Sequence, residues 1–183
     1  MGDPRRLGKK YAGPRHPWQS ERIVEERALM IAYGLNAKNE LWKASSKLKS
    51  FASQAKKLIA LQTVQAERET KQLLERLASL GLLSKGAKLD DVLALTLKDV
   101  LDRRLQTVVV KRGLARTQRQ SRQFIIHQHI MVGSKALSVP SYLVPVEEES
   151  KVSFVAQSDL GNPEHVARVV PVKSGKAKSG VSK

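Results

Sequence analysis

The chain contains no cysteine. That excludes disulfides and thiolate-held metals. Aromatic residues make up only 4% of the sequence, which suits modest helical cores better than a large enzyme interior. No apolar run approaches the about 18 residues of a membrane-spanning helix. The opening MGDPRRLGKK lacks the apolar centre of a signal peptide. These absences predict a soluble, cytoplasmic protein without a membrane partner. Catalytic patterns are missing too. There is no phosphate-cradling glycine loop and no serine nucleophile motif. Asp90 and Asp91 are adjacent, so on a helix they diverge by about 100° and make no acid–base pair. His127 and His129 would share a face on an extended strand, but no nearby carboxylate completes a metal set. A helix-end contact or a hydrogen bond to a partner suits them better. The expectation is a protein that is not an enzyme and needs no cofactor or metal.

Acid is the other scarcity. Against 33 Lys and Arg there are 17 Asp and Glu, giving a net charge of +16 and a pI near 10.3 over 183 residues. A chain this basic repels itself and calls for a polyanion, nucleic acid first and an anionic membrane second. The charge is unevenly placed. Residues 1–60 are net +8, 61–100 neutral, 101–135 net +7, 136–170 net −3, and the last 13 net +4. Two basic regions therefore flank a neutral helical segment.

The stretch 101–155 organises the rest. Thr96, with Asp99 at the reciprocal position, predicts a capped helix that Gly113 ends, with Leu101, Leu105, Val108 and Val109 on one side. Arg103, Arg104 and Lys111 fall on another side, and Arg112 lies near the apolar seam and must snorkel outward. Thr117 and Gln120 predict a second capped helix with Ser121, Phe124 and Ile125 inward and Arg119 and Arg122 elsewhere. Ile126 shares the arginine side. Short strands follow at 130–132 and from Ala136, joined by Gly133-Ser134 as a tight turn. Val152, Phe154 and Val155 give another strand, and Pro140 and Pro145 restrict the region to edges or irregular positions. Glu147, Glu148 and Glu149 read as a solvated acidic turn. Residues 156–170 lack a clear period.

From Leu101 to Lys135 there are eight Lys or Arg against one acid, Asp102. Solvated surfaces mix signs, so this imbalance points to phosphate, which the planar Arg fork suits. The candidate RNA contacts are Arg103, Arg104, Lys111, Arg112, Arg116, Arg119, Arg122, Gln123, His127, His129 and Lys135. Replacing Arg119 and Arg122 with Ala is expected to weaken binding and leave folding nearly unchanged.

The earlier chain supplies a second basic set. Residues 1–19 read as an extended arm, broken by Pro4, Pro14 and Pro17. Arg5, Arg6, Lys9, Lys10, Tyr11 and Arg15 are candidate contacts there, with His16 and Trp18 interleaved for stacking. Ser20 should cap a helix to Tyr33, stopped by Gly34, with Val24, Ala28 and Ile31 as its inner seam beside Ile23 and Met30. Asn36 should cap a longer helix to Leu61, seamed by Leu41, Leu48, Ala52, Ala55 and Ile59. Lys43 and Lys47 stand out from its Lys run as phosphate contacts; Trp42 is open between core and contact. A charge-balanced helix over 63–80 buries Leu73, Leu74, Leu77 and Leu80, Gly81 ends it, and a short helical turn covers 90–95. From Pro171 the composition predicts a disordered tail.

RRLQTVVVKRGLA, SRQFIIHQHIMVG and VPSYLV occur in the order and spacing of the RNA-binding domain named after small-subunit ribosomal protein four. KKYAGPRHPW at 9–18 and the approach from Leu89-Asp90 to Arg104 resemble the same family, so the likeness spans roughly residues 5–155. It resembles the archaeal and eukaryotic branch. Bacterial members usually carry Arg where this chain has Gln118, often Asn-Gly where it has Gly133-Ser134, and in some cases an N-terminal cysteine metal site that this chain cannot form. The resemblance implies an α+β fold: a mainly helical N-terminal region, then a small domain of two helices on a short, mostly antiparallel sheet, with extended basic termini. The expected divisions are a basic arm at 1–19, a helical rRNA-contacting domain at 20–100, the small RNA-binding domain at 101–156 and an extension at 157–183. It also implies a structural constituent of the small ribosomal subunit. Family members bind the five-prime domain of small-subunit rRNA first, nucleate the subunit body, and adjoin ribosomal protein five. They lie near the messenger RNA entry and decoding-fidelity region, so messenger RNA is a further implied partner. The rival readings are an accessory protein for RNA modification carrying the same domain, and a general basic binder of membrane or nucleic acid.

Overall fold

The computed structural model describes residues 9, 11–61, 63–84, 86–162 and 165. Arg5, Arg6, Lys10 and the tail from Pro171 lie outside the described residues. The elements are α1 (Ser20–Ala32), α2 (Lys38–Ala60), α3 (Val64–Ser79), α4 (Leu89–Ala94), α5 (Leu97–Asp102), α6 (Leu105–Lys111), α7 (Gln118–Ile126), β1 (Ile130–Val132), β2 (Lys135–Ala136), α8 (Val146–Glu149) and β3 (Val152–Phe154). A 3-10 turn follows at Asp159–Gly161. The architecture is α+β, as expected: a helical N-terminal region followed by helices packed on one small sheet.

α2 runs 23 residues with no Gly or Pro, and its buried positions Leu41, Ala44, Phe51, Ala55 and Leu58 follow a three-and-four spacing. Ile59 is exposed, because that spacing turns the seam onto Leu58 instead. Phe51, Ala55 and Leu58 pack with Ala66, Leu73 and Leu77 of α3 and Val92 of α4. The upper end of α2 meets α5 through Leu41, Ala44, Val100 and Leu101, with Leu35 between. A third cluster joins α6 and α7 to the sheet: Leu105, Val108, Val109, Phe124, Ile125, Ile130, Val132, Val144 and Val152. Leu160, from the stretch without a sequence period, plugs the same core.

β1 is the centre of an antiparallel sheet ordered β2-β1-β3. Val132 pairs with Lys135 and Val152. Gly133-Ser134 therefore forms a two-residue loop, with Gly133 at φ +62° supplying the positive φ of the hairpin turn. Gly81 and Gly113 stop α3 and α6 as predicted.

Several expectations are corrected. The single helix expected from Thr96 to Gly113 is two. Its Thr96–Asp99 capping box is present, but Arg104 is extended, at φ −70° and ψ 141°, and bridges Leu143. Val144 N–H donates to the Arg103 carbonyl at 3.0 Å, and Leu105 N–H to the Tyr142 carbonyl at 2.7 Å. Pairing with 142–144 replaces the helical bonds at this break. Ser20 and Asn36 are not caps; Gln19 and Ala37 occupy those positions without side-chain bonds. Thr63 caps α3 instead. At α7, Thr117 accepts from Gln120 N–H at 3.2 Å, but the Gln120 amide oxygen takes Arg116 N–H, so the box is not reciprocal. The acidic run is helix α8 rather than a solvated turn. Glu149 accepts from Arg103 at 2.7 Å and Glu148 from the Tyr142 hydroxyl at 2.7 Å.

The largest reversal is α1. Val24, Ala28 and Ile31 face outward, whereas Glu26 is buried. The Glu26 carboxylate accepts from Trp42 Nε1 at 3.0 Å and pairs with Arg22 and Lys38. Burial raises its pKa, but the Trp42 and Arg22 hydrogen bonds outweigh this and hold it below the usual 4.5. Trp42 is thus a scaffold residue, half-buried over the acid.

Gly34 ends α1 at φ +58°, and a Cβ there would meet the Gln118 Cβ at 2.8 Å. Gly34→Ala is therefore expected to cost about 2–4 kcal/mol, combining left-handed backbone strain with overlap against α7. Chemical denaturation checks this.

Candidate nucleic-acid interface

The basic residues are placed by α2, the Arg104 break and α7, which meet at a carboxylate. On α2, Glu40, Lys43 and Lys47 lie three and four apart, so they share one helix face. That face looks across a cleft at the Arg104 break and at α7. Glu40 accepts from Arg104 at 2.7 Å and from both terminal nitrogens of Arg122, at 3.0 and 2.9 Å. The two arginines sit 64 and 82 residues away in sequence. Burial tends to raise the Glu40 pKa. Hydrogen bonds from Arg122 and Arg104, with their charges, overcome it and leave the group below 4.5. The acid is therefore ionised at neutral pH.

Above this triad lies a cleft of about 320 Å³, lined by Lys43, Lys47, Arg104, Arg122, Pro140, Ser141 and Leu143 among others. Two Lys, two Arg and one Glu leave the lining net cationic. Nothing in the local sequence singles out Ser141. It reaches the cleft because the segment after Val139 pairs with the Arg104 break.

A second group lines the outer face of α7. Arg119, Gln123 and Ile126 recur at helical spacing and are exposed. Arg116 precedes them in the loop, exposed. His127 is exposed at the helix end. Among the described residues, Arg119 and Lys135 have no acidic partner. Lys135 is exposed in β2. His129 is half-buried; its Nδ1 is 3.0 Å from Ser158 Oγ, and its ring stands edge-on to Phe124. The His127 and His129 rings are 6.3 Å apart.

The remaining candidates are engaged by partners within the protein. Arg104 is 4% exposed, so it is not on the outer cationic surface where the sequence placed it. Arg122 is tied into the fold as well, because both ends of its fork donate to Glu40. Arg103 donates to Glu149 and to the Val144 carbonyl, both at 2.7 Å. Arg112 reaches outward and donates to the Glu149 carbonyl. Lys111 pairs with Asp102 at 2.8 Å. Asp102, the lone acid of the stretch, also accepts from the Tyr33 hydroxyl at 2.8 Å. Burial and this bond push the Tyr33 pKa up to about 12.

In the arm, Tyr11 packs beside Trp42 with ring centroids 6.3 Å apart, and Lys43 Nζ lies 5.9 Å from the Tyr11 centroid. Ala12 N–H donates to Ser46 Oγ at 3.1 Å, tying the arm to α2. Lys9 and Arg15 are exposed. The described arm therefore continues the α2 lysine face.

Among the described residues no helix is long and apolar enough to cross a membrane. The S4 domain family matches residues 103–150, from the Arg104 break to the end of α8. Three curated relatives, each called small ribosomal subunit protein uS4, match much more. The protein of Methanococcus aeolicus is 49% identical over 174 residues, 94% of this chain and 98% of the relative. That of Nanoarchaeum equitans is 49% identical over 170 residues, 92% and 94% of the two chains. That of Methanococcus maripaludis strain C7 is 46% identical over 173 residues, 94% and 97%. With this identity over nearly the full length of both partners, the chain belongs to the small ribosomal subunit protein uS4 family.

Proposed function

We propose that the chain is a structural, non-catalytic constituent of the small ribosomal subunit. In this reading it binds the five-prime domain of small-subunit rRNA early in assembly and helps nucleate the subunit body. Ribosomal protein five is its neighbour, and the messenger RNA entry and decoding-fidelity region lies close by. The observation that carries the reading is the cationic cleft itself. Lys43 and Lys47 on α2 oppose Arg104 at the break before α6 and Arg122 on α7, and Glu40 of α2 ties all three together. Arg119 continues the positive surface along α7. Two rigidly related basic faces can grip two RNA helices and set the angle between them.

The recognition this supports is of shape. The deep major groove of A-form RNA excludes side chains, so backbone phosphates and junction geometry are what these groups can read. The exposed Arg119 fork suits phosphate oxygens, the Glu40-bound arginines add positive charge, and the lysines act as point charges.

The test is competition binding. Labelled five-prime-domain rRNA is titrated with protein at several salt concentrations against excess transfer RNA and generic duplex. Retained binding at high salt in the presence of competitor is the expected result. Complete displacement by either competitor would reduce the charge to a non-specific polyanion surface and overturn the shape-recognition reading.

A further inference from the structure

α1 carries its apolar stripe on the wrong side for a core. Val24 and Ile31 are 67% and 72% exposed, Ala28 is exposed between them, and the three are spaced four and three apart. They form one stripe on the face opposite buried Glu26. Trp18, 91% exposed, stands just before the helix. Its place is set by the chain around it. Arg22 donates to the carbonyls of His16 and Pro17 at 3.0 and 2.8 Å, and Glu26 holds Arg22 in turn. The backbone just before Trp18 is thus tethered to the first turns of α1.

A single exposed apolar residue means little, but a helix stripe with an exposed Trp beside it is the composition of a protein contact centre. Its flanks select the occupant. Glu21 and Glu25 are exposed on α1 against Arg27, so exposed acid outnumbers exposed base on this helix, within a chain of net charge +16, while Arg15 is exposed in the arm before Trp18. Phosphate is repelled by the two carboxylates and gains nothing from valine and isoleucine. A second copy of so basic a chain is opposed by overall charge. A segment carrying apolar residues beside Lys or Arg fits both the stripe and its edge.

We propose that Trp18, Val24, Ala28 and Ile31 form a docking surface for a basic, apolar segment of a neighbouring small-subunit protein. The proposal rests on the ribosomal reading above. Its role is to cover the apolar face of α1.

The test uses the full-length protein assembled into small subunits, with a photoreactive residue at position 28 or, separately, at position 119. The expected result is a position-28 crosslink to a protein peptide containing apolar residues next to Lys or Arg, and a position-119 crosslink to rRNA. Val24→Glu with Ile31→Glu should cut the protein crosslink by about tenfold or more, while affinity for isolated rRNA is unchanged. Val24→Ser with Ile31→Ser should do the same more weakly. A position-28 crosslink to rRNA, to a second copy or to an acidic peptide overturns the docking proposal. So does no crosslink at 28 when 119 still marks rRNA, and the ribosomal reading then stands. Loss of rRNA crosslinking at 119 overturns that reading, and the docking surface falls with it.

Discussion

Glu40→Ala is expected to be the most destabilising single substitution on the surface of the cleft, by about 3–5 kcal/mol at neutral pH. The carboxylate is the one group holding Arg104 and Arg122 together. Removing it leaves a buried guanidinium at Arg104 and a largely buried one at Arg122, with no anion between them. The cost arises from these stranded charges, not from the net worth of the pair. Replacing all three, as E40L with R104M and R122M, should recover much of the loss in stability while removing charge from the cleft. The pH dependence follows from the sign of the Glu40 shift. Its folded pKa lies below the ordinary 4.5. The stabilisation is therefore fully present above that value and is lost as pH falls through the lower folded pKa. Glu40→Gln should differ from wild type at pH 7, and the difference should shrink in acid. Denaturation curves at several pH values measure it. A Glu40→Ala change within about 0.5 kcal/mol of wild type would mean that α2 and the S4-type module are not locked by this triad.

The second large effect is on RNA. Lys43, Lys47 and Arg119 are exposed, and none has an acidic partner among the described residues. Replacing all three with Ala should leave the melting curve in place. Each phosphate that no longer meets a protein cation should remove nearly one counterion from the salt slope. Three together should flatten it by about 2.7 and weaken binding roughly 100-fold near physiological salt. Titration of five-prime-domain rRNA at graded salt reads both quantities. Arg122→Ala would be a poor substitute in this experiment, because it breaks the Glu40 fork and mixes a folding effect with a binding one. An unchanged slope in the triple variant would place the RNA elsewhere on the molecule.

The sequence by itself settled the features that are local. Gly34, Gly81 and Gly113 stop their helices because left-handed turn chemistry needs only a few neighbouring residues. Thr96 with Asp99 makes its capping box three residues apart. Leu105, Val108, Val109, Phe124 and Ile125 are buried because helical spacing puts them on one side whatever they meet. The excess of cations in 101–135, and with it a polyanion partner, was legible as plain composition.

Tertiary structure decided what depends on distant partners. Glu40 has no local mark, yet across 64 and 82 residues it determines that Arg104 and Arg122 hold the fold together as well as line the cleft. Buried Gln106 is another such residue; its amide donates to the carbonyls of Tyr33, Gly34 and Gln118 at 3.2, 3.2 and 2.8 Å, joining α1 to α7. The break at Arg104 comes from pairing with the segment around Leu143, against a local helical pattern. α1 shows the limit most clearly. Its periodicity gave the right helix and the wrong face, because a hydrophobic stripe identifies a surface to be covered without naming what covers it. Here a hydrogen-bonded acid, Glu26 on Trp42 and Arg22, won the inner side, and the apolar side was left facing out.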